Sequence, residues 1–102
     1  MRVLNKLVRD RIPEIIAGNG QTCKTHTLSP DEHLAALKDK LREEVVEYEE
    51  SGALEELADI LEVVRALAEA GGHSAEELES VRAAKAEARG GFRKRIFLES
   101  VE

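Results

Sequence analysis

Tryptophan is absent from this 102-residue chain, and Phe and Tyr supply 3% of it. Its core must therefore come from Leu, Val, Ile and Ala rather than from aromatic plates. A single cysteine, Cys23, excludes an internal disulfide. The three histidines, His26, His33 and His73, are scattered and leave no Cys/His cluster with zinc spacing. No apolar run approaches the roughly 20 residues of a membrane span. No N-terminal stretch has the character of a secretion signal. Positive charge is also in deficit: the formal net charge is -6, which argues against a nucleic-acid polymer as partner. These absences lead us to expect a single domain over 1–102 that is cytoplasmic and has no membrane partner.

What remains is rich in helix formers: Ala, Leu, Glu, Lys and Arg. Asp10–Ala17 reads as a short helix, with Pro13 in its first turn and Gly18-Asn19-Gly20 as its stop. Ser29-Pro30-Asp31-Glu32 combines an N-cap, a proline at the first helical position and a capping-box glutamate. That helix should run to Glu50. A second long helix should span Ala53–Ala70 and close at Gly71-Gly72. Ser74 and Glu77 repeat the capping box for a third, ending near Arg89. Gln21–Leu28 is Thr-rich, and Phe92–Val101 alternates in part. Residues 24–28 and 94–100 are thus predicted to pair as a short two-stranded β element. The fold class expected is mostly α, an antiparallel helical hairpin or bundle. So small a bundle should complete its core as a homodimer or homotetramer.

Carboxylates crowd the middle of the chain. Leu41–Glu62 reads LREEVVEYEESGALEELADILE, two helical pieces about a turn at Ser51-Gly52. Glu44 and Glu47 are three apart, as are Glu56 and Asp59, so each pair shares a helix face. Glu44 and Asp59 lie equally far from the bend, and so do Glu47 and Glu56. With about 1.5 Å of rise per residue, each of these pairs meets at one level across a hairpin. The apolar stripe of the first helix is Leu34, Leu37, Leu41, Val45 and Tyr48, with Glu44 at its edge. Glu56 leads into Ile60, Val63 and Leu67. Two readings stand at this point. One is a solvated acidic face; the other is an oxygen-ligand cluster for hard divalent cations.

Charge placement adds to this. Asp31–Glu62 holds twelve acids against three bases, while Arg2, Lys6, Arg9 and Arg11 crowd one end of the chain. Arg82, Lys85, Arg89, Arg93, Lys94 and Arg95 crowd the other. An acidic centre between basic arms suits a metal-plus-phosphate ligand, or simply surface ion pairs of little value. Lys85 and Arg89 share a helix face. Arg89-Gly90-Gly91-Phe92 is either a plain helix stop or a turn whose N–H groups reach an anion. Phe92 suits a core or a nucleobase equally.

Taken together, Glu43-Glu44-x-x-Glu47 followed by Glu56-x-x-Asp59 resembles the all-α nucleoside triphosphate pyrophosphohydrolases. NKLVRD at the start and RGGF near the end are similar to the phosphoribosyl-ATP pyrophosphohydrolase-like branch of that MazG-like superfamily. The resemblance spans roughly Asn5 to Leu98. The linker Tyr48–Glu55 is shorter than in many members. The resemblance implies Mg²⁺ ligation, with Mn²⁺ as a substitute, by Glu44, Glu47, Glu56 and Asp59. It implies that Glu43 supports the site or activates water, with Glu44 and Glu47 as its catalytic neighbours. Lys6, Arg9, Lys85, Arg89 and Arg93 would hold phosphates of a nucleotide substrate. The implied reaction is cleavage of an α–β phosphoanhydride to a nucleoside monophosphate and pyrophosphate. Two alternatives accompany it: the phosphoribosyl-ATP step of histidine synthesis, and a non-catalytic helical dimerisation module.

Overall fold

A computed structural model describes residues 2–102. It contains four helices: α1 (Ile12–Gly18), α2 (Pro30–Ser51), α3 (Leu54–Ala70) and α4 (Ala75–Arg89). Both capping boxes form. Ser29 Oγ accepts from the Glu32 N–H at 3.3 Å, and the Ser29 N–H donates to Glu32 Oε1 at 3.0 Å. Ser74 and Glu77 repeat this at 3.1 and 3.2 Å. Each box satisfies donors that a helix start leaves orphaned.

The bend between α2 and α3 is the element that positions everything else. Gly52 caps α2 in the left-handed region, at φ 64°, where a side chain would be strained. Its N–H donates to the Tyr48 carbonyl at 2.7 Å. The Ala53 N–H donates to Ser51 Oγ at 3.1 Å. With only Gly52 and Ala53 between the helices, α3 must turn back along α2. The two make the most extensive packing in the molecule, and α4 adds a lesser contact to α3. α1 packs on none of the other helices.

The interior is small. Among the described residues Leu37, at 3% exposure, and Val63 are the buried apolar ones, and Glu44 is the buried charged one. Burying an aliphatic side chain contributes about 1.5–3 kcal/mol, so two of them leave little margin. The radius of gyration is 17.9 Å, against about 13 Å for a compact domain of this length. No described helix is long and apolar enough to cross a membrane.

The β element does not form. Among the described residues there is no strand: 24–28 and 94–100 are irregular and largely exposed. Arg95 has φ 58°, which bends the chain inside the segment expected to be extended, and its N–H donates back to the Phe92 carbonyl at 3.3 Å. A lone two-stranded ribbon is marginal in water even without such a bend. The helix boundaries hold to within a residue or two of expectation.

Candidate metal centre

Helix spacing and the tight bend bring carboxylates together as two overlapping groups. Oxygens of Glu43, Glu44 and Glu47 lie within 4.8 Å of one another, as do those of Glu44, Glu56 and Asp59. Glu44 belongs to both. Four of these acids had been expected at matched levels across the hairpin, and the hub is a single residue of α2 rather than two facing pairs.

Glu44 is 6% exposed. Its Oε1 lies 3.4 Å from Lys40 Nζ, while its Oε2 is fully buried and accepts no hydrogen bond. Burial, the largest cause, raises the pKa of this carboxyl, and the adjacent Glu47 carboxylate raises it further against the opposing pull of Lys40. An unsatisfied buried acceptor costs about 1–3 kcal/mol, more when it is charged.

Two side-chain cations already touch the cluster. Lys40, half-buried on the turn before Glu44, lies 3.4 Å from Glu43 Oε2 as well. Arg9 reaches across from the N-terminal segment, with Nη2 at 2.6 Å from Asp59 Oδ1. Sequence reasoning missed Lys40. Its signal was positional, since it stands three residues before Glu43 and four before Glu44.

Beside the cluster, a shallow cleft of about 140 Å³ is lined by Asn5, Lys6, Ala36, Asp39, Lys40 and Glu43, among others. Lys6 and Glu43 both line it. A second cleft of about 310 Å³ collects Asp10, His26, Thr27 and His33. Lys85, Arg89 and Arg93 are exposed, line neither cleft and form no ion pair among the described residues.

The donor set is all oxygen, which fits a hard divalent cation. The orphaned Glu44 Oε2 supplies an unused acceptor at its centre. No protein-family model matches the chain, and no solved structure matches it. It is similar to an uncharacterized protein of Mycolicibacterium smegmatis, 60% identical over 42 residues. That match covers 41% of this chain and 43% of the relative, so the chain spans less than half of the protein it resembles.

Proposed function

We propose that this chain is a Mg²⁺-dependent hydrolase of nucleoside triphosphates or related nucleotides, cutting the α–β phosphoanhydride. The observation that carries this reading is the buried, unsatisfied Glu44 at the hub of two carboxylate groups. A purely structural helical hairpin gains little from such a residue, because Lys40 meets one carboxyl oxygen and leaves the other buried without a partner, which opposes folding. The non-catalytic dimerisation module is therefore the weaker reading.

Glu44, Glu47, Glu56 and Asp59 would hold the cation. When bound, Mg²⁺ supplies neutralisation of the charge that develops on phosphate oxygens. Glu43, at the rim of the cleft, accepts the proton of the attacking water, with Glu47 beside it. The water oxygen forms a bond to the α-phosphorus, and the bond from that phosphorus to the bridging oxygen breaks. A nucleoside monophosphate and pyrophosphate leave. Lys40 already contacts Glu43 and Glu44, and Arg9 contacts Asp59; Lys6, on the cleft with Glu43, and Arg9 would hold the outer phosphates. Lys85, Arg89 and Arg93 carry the same proposed role from the other arm. The working form is a homodimer or homotetramer in the cytoplasm, where nucleoside triphosphates are made and consumed.

The test is pyrophosphate release from canonical and modified nucleoside triphosphates and from phosphoribosyl-ATP, with Mg²⁺ or Mn²⁺. Release by the wild type, lost in Glu44→Gln with an unchanged helical spectrum, is expected. Preference for phosphoribosyl-ATP would reassign the substrate to histidine synthesis. No release from any nucleotide would remove the enzymatic reading.

A further inference from the structure

The C-terminal segment after α4 is the least economical part of the molecule. Phe92, Ile96, Phe97, Leu98 and Val101 are 73–97% exposed. Five large apolar side chains within ten residues are too many for a scattered solvent-facing set. The total accessible surface is 9378 Å², against about 5,700 Å² for a compact monomer of this mass. The excess, roughly 3,700 Å², is ample for one chain's share of an obligate interface, which buries about 2,000–5,000 Å² over both partners.

The hairpin offers a matching surface. Leu54, Leu57 and Leu61 recur at i, i+3 and i+7 along α3 and are exposed. Glu55 and Glu62 follow Leu54 and Leu61 by one residue each, so an acidic edge runs beside that apolar stripe. Neither acid forms an ion pair among the described residues, and nor do Arg93, Lys94 and Arg95 in the tail. A run of three unpaired bases set among apolar residues thus complements an unpaired acidic edge on an apolar stripe. Within its own chain the tail does not reach that surface, since it leaves α4 through the Phe92–Arg95 bend and stays exposed.

We propose that residues 92–101 of one copy dock along the α2–α3 hairpin of a second copy, and reciprocally. This rests on the homo-oligomer reading above and adds which segment makes the interface. The apolar residues of the tail cover Leu54, Leu57 and Leu61, and its bases meet Glu55 and Glu62. The exchange also carries Arg93 toward the carboxylate-bearing hairpin of the neighbouring copy, whereas its own chain leaves it outside any cleft.

The experiment is photo-crosslinking of the 102-residue chain carrying a benzophenone side chain in place of Phe97. Light and heavy isotope-labelled chains are mixed and the products mapped by mass spectrometry, with light scattering for mass. Crosslinks joining light to heavy chains, ending within residues 54–62, are expected. Arg93→Glu with Lys94→Glu and Arg95→Glu should weaken self-association at least tenfold. Glu55→Lys with Glu62→Lys in the same chain should restore it. Crosslinks confined within single chains would overturn the exchange. A dimer whose crosslinks avoid the hairpin would also overturn it, while leaving the homo-oligomer reading intact. A monomer at all concentrations, including one that sediments with anionic vesicles, would end both. None of these readouts depends on turnover.

Discussion

In the α2–α3 hairpin a carboxylate is buried at 6% exposure; beyond α4 a phenylalanine, Phe92, stands 97% exposed. These are opposite departures from what water favours. The first region conceals charge and the second displays apolar surface. A cation would relieve the first and a covering protein surface would relieve the second, so the two regions call for different kinds of ligand. The hairpin also holds its own shape, through Gly52, Leu37 and Val63. The tail has no comparable support. Chemistry is expected where the chain packs on itself, and association where it stays exposed.

The sharpest way to break this contrast is to neutralise the hidden charge. Glu44→Gln should lower pyrophosphate release more than about 100-fold, because loss of groups that merely support a metal ligand already costs 10–100-fold. Glu76→Gln, an exposed acid in the first turn of α4, should leave release within twofold. Equal losses from the two would erase the distinction between the regions.

Packing gives the next largest effect. Leu37→Ala should destabilise the fold by about 2–5 kcal/mol in urea titrations. Phe92→Ala, in dilute protein, should change stability by less than about 0.5 kcal/mol. Raising protein concentration should enlarge the Phe92 effect and leave the Leu37 effect unchanged.

Acidity separates the regions more finely. The folded state raises the Glu44 pKa above its ordinary value of 4.5, so it holds that proton more tightly than the unfolded chain. Without metal, the stability tied to this group is fully present below pH 4.5 and is lost as pH rises through the raised value. Hydrogen bonds with Ser29, His73 and Arg82 respectively lead the causes that lower the carboxyl groups of Glu32, Glu77 and Glu79, which act in the opposite sense. Melting temperature against pH, wild type minus Glu44→Gln, isolates the first contribution. That difference should fall with rising pH in chelator and flatten or reverse in excess Mg²⁺.

The smallest expected effects concern the caps. Ser29→Ala and Ser74→Ala each remove one capping box and should cost about 1 kcal/mol. Only Ser29→Ala, at the start of the helix that carries Glu44, should also weaken metal-dependent stabilisation.

Much of this was legible in the sequence for local reasons. Ser29-Pro30-x-Glu32 and Ser74-x-x-Glu77 carry their own hydrogen-bond partners, and the short bend at Gly52 leaves α3 little choice of direction. The meeting of Glu44 with Asp59 followed from helical rise about the turn; the same rule paired Glu47 with Glu56, whereas Glu47 groups with Glu43 and Glu44 on its own helix. The role of Lys40 did not, because a lysine in an acidic helix reads as a surface charge until its burial is known. The Arg9–Asp59 contact spans fifty residues and has no local signature. The strand expectation for 94–100 failed at Arg95, where the left-handed backbone of a non-glycine residue overrides a weak alternation that Ile96-Phe97-Leu98 already interrupts.

The divalent-cation site proposed on the carboxylates of the hairpin has Glu44 at its hub. Calorimetric titration of Mn²⁺ and Mg²⁺ into metal-free wild type and Glu44→Gln tests it without any assumption about substrate. Saturable binding to the wild type, abolished in Glu44→Gln while both remain helical, is the predicted result. Absence of saturable binding in the wild type, or equal affinity in the two proteins, would contradict it.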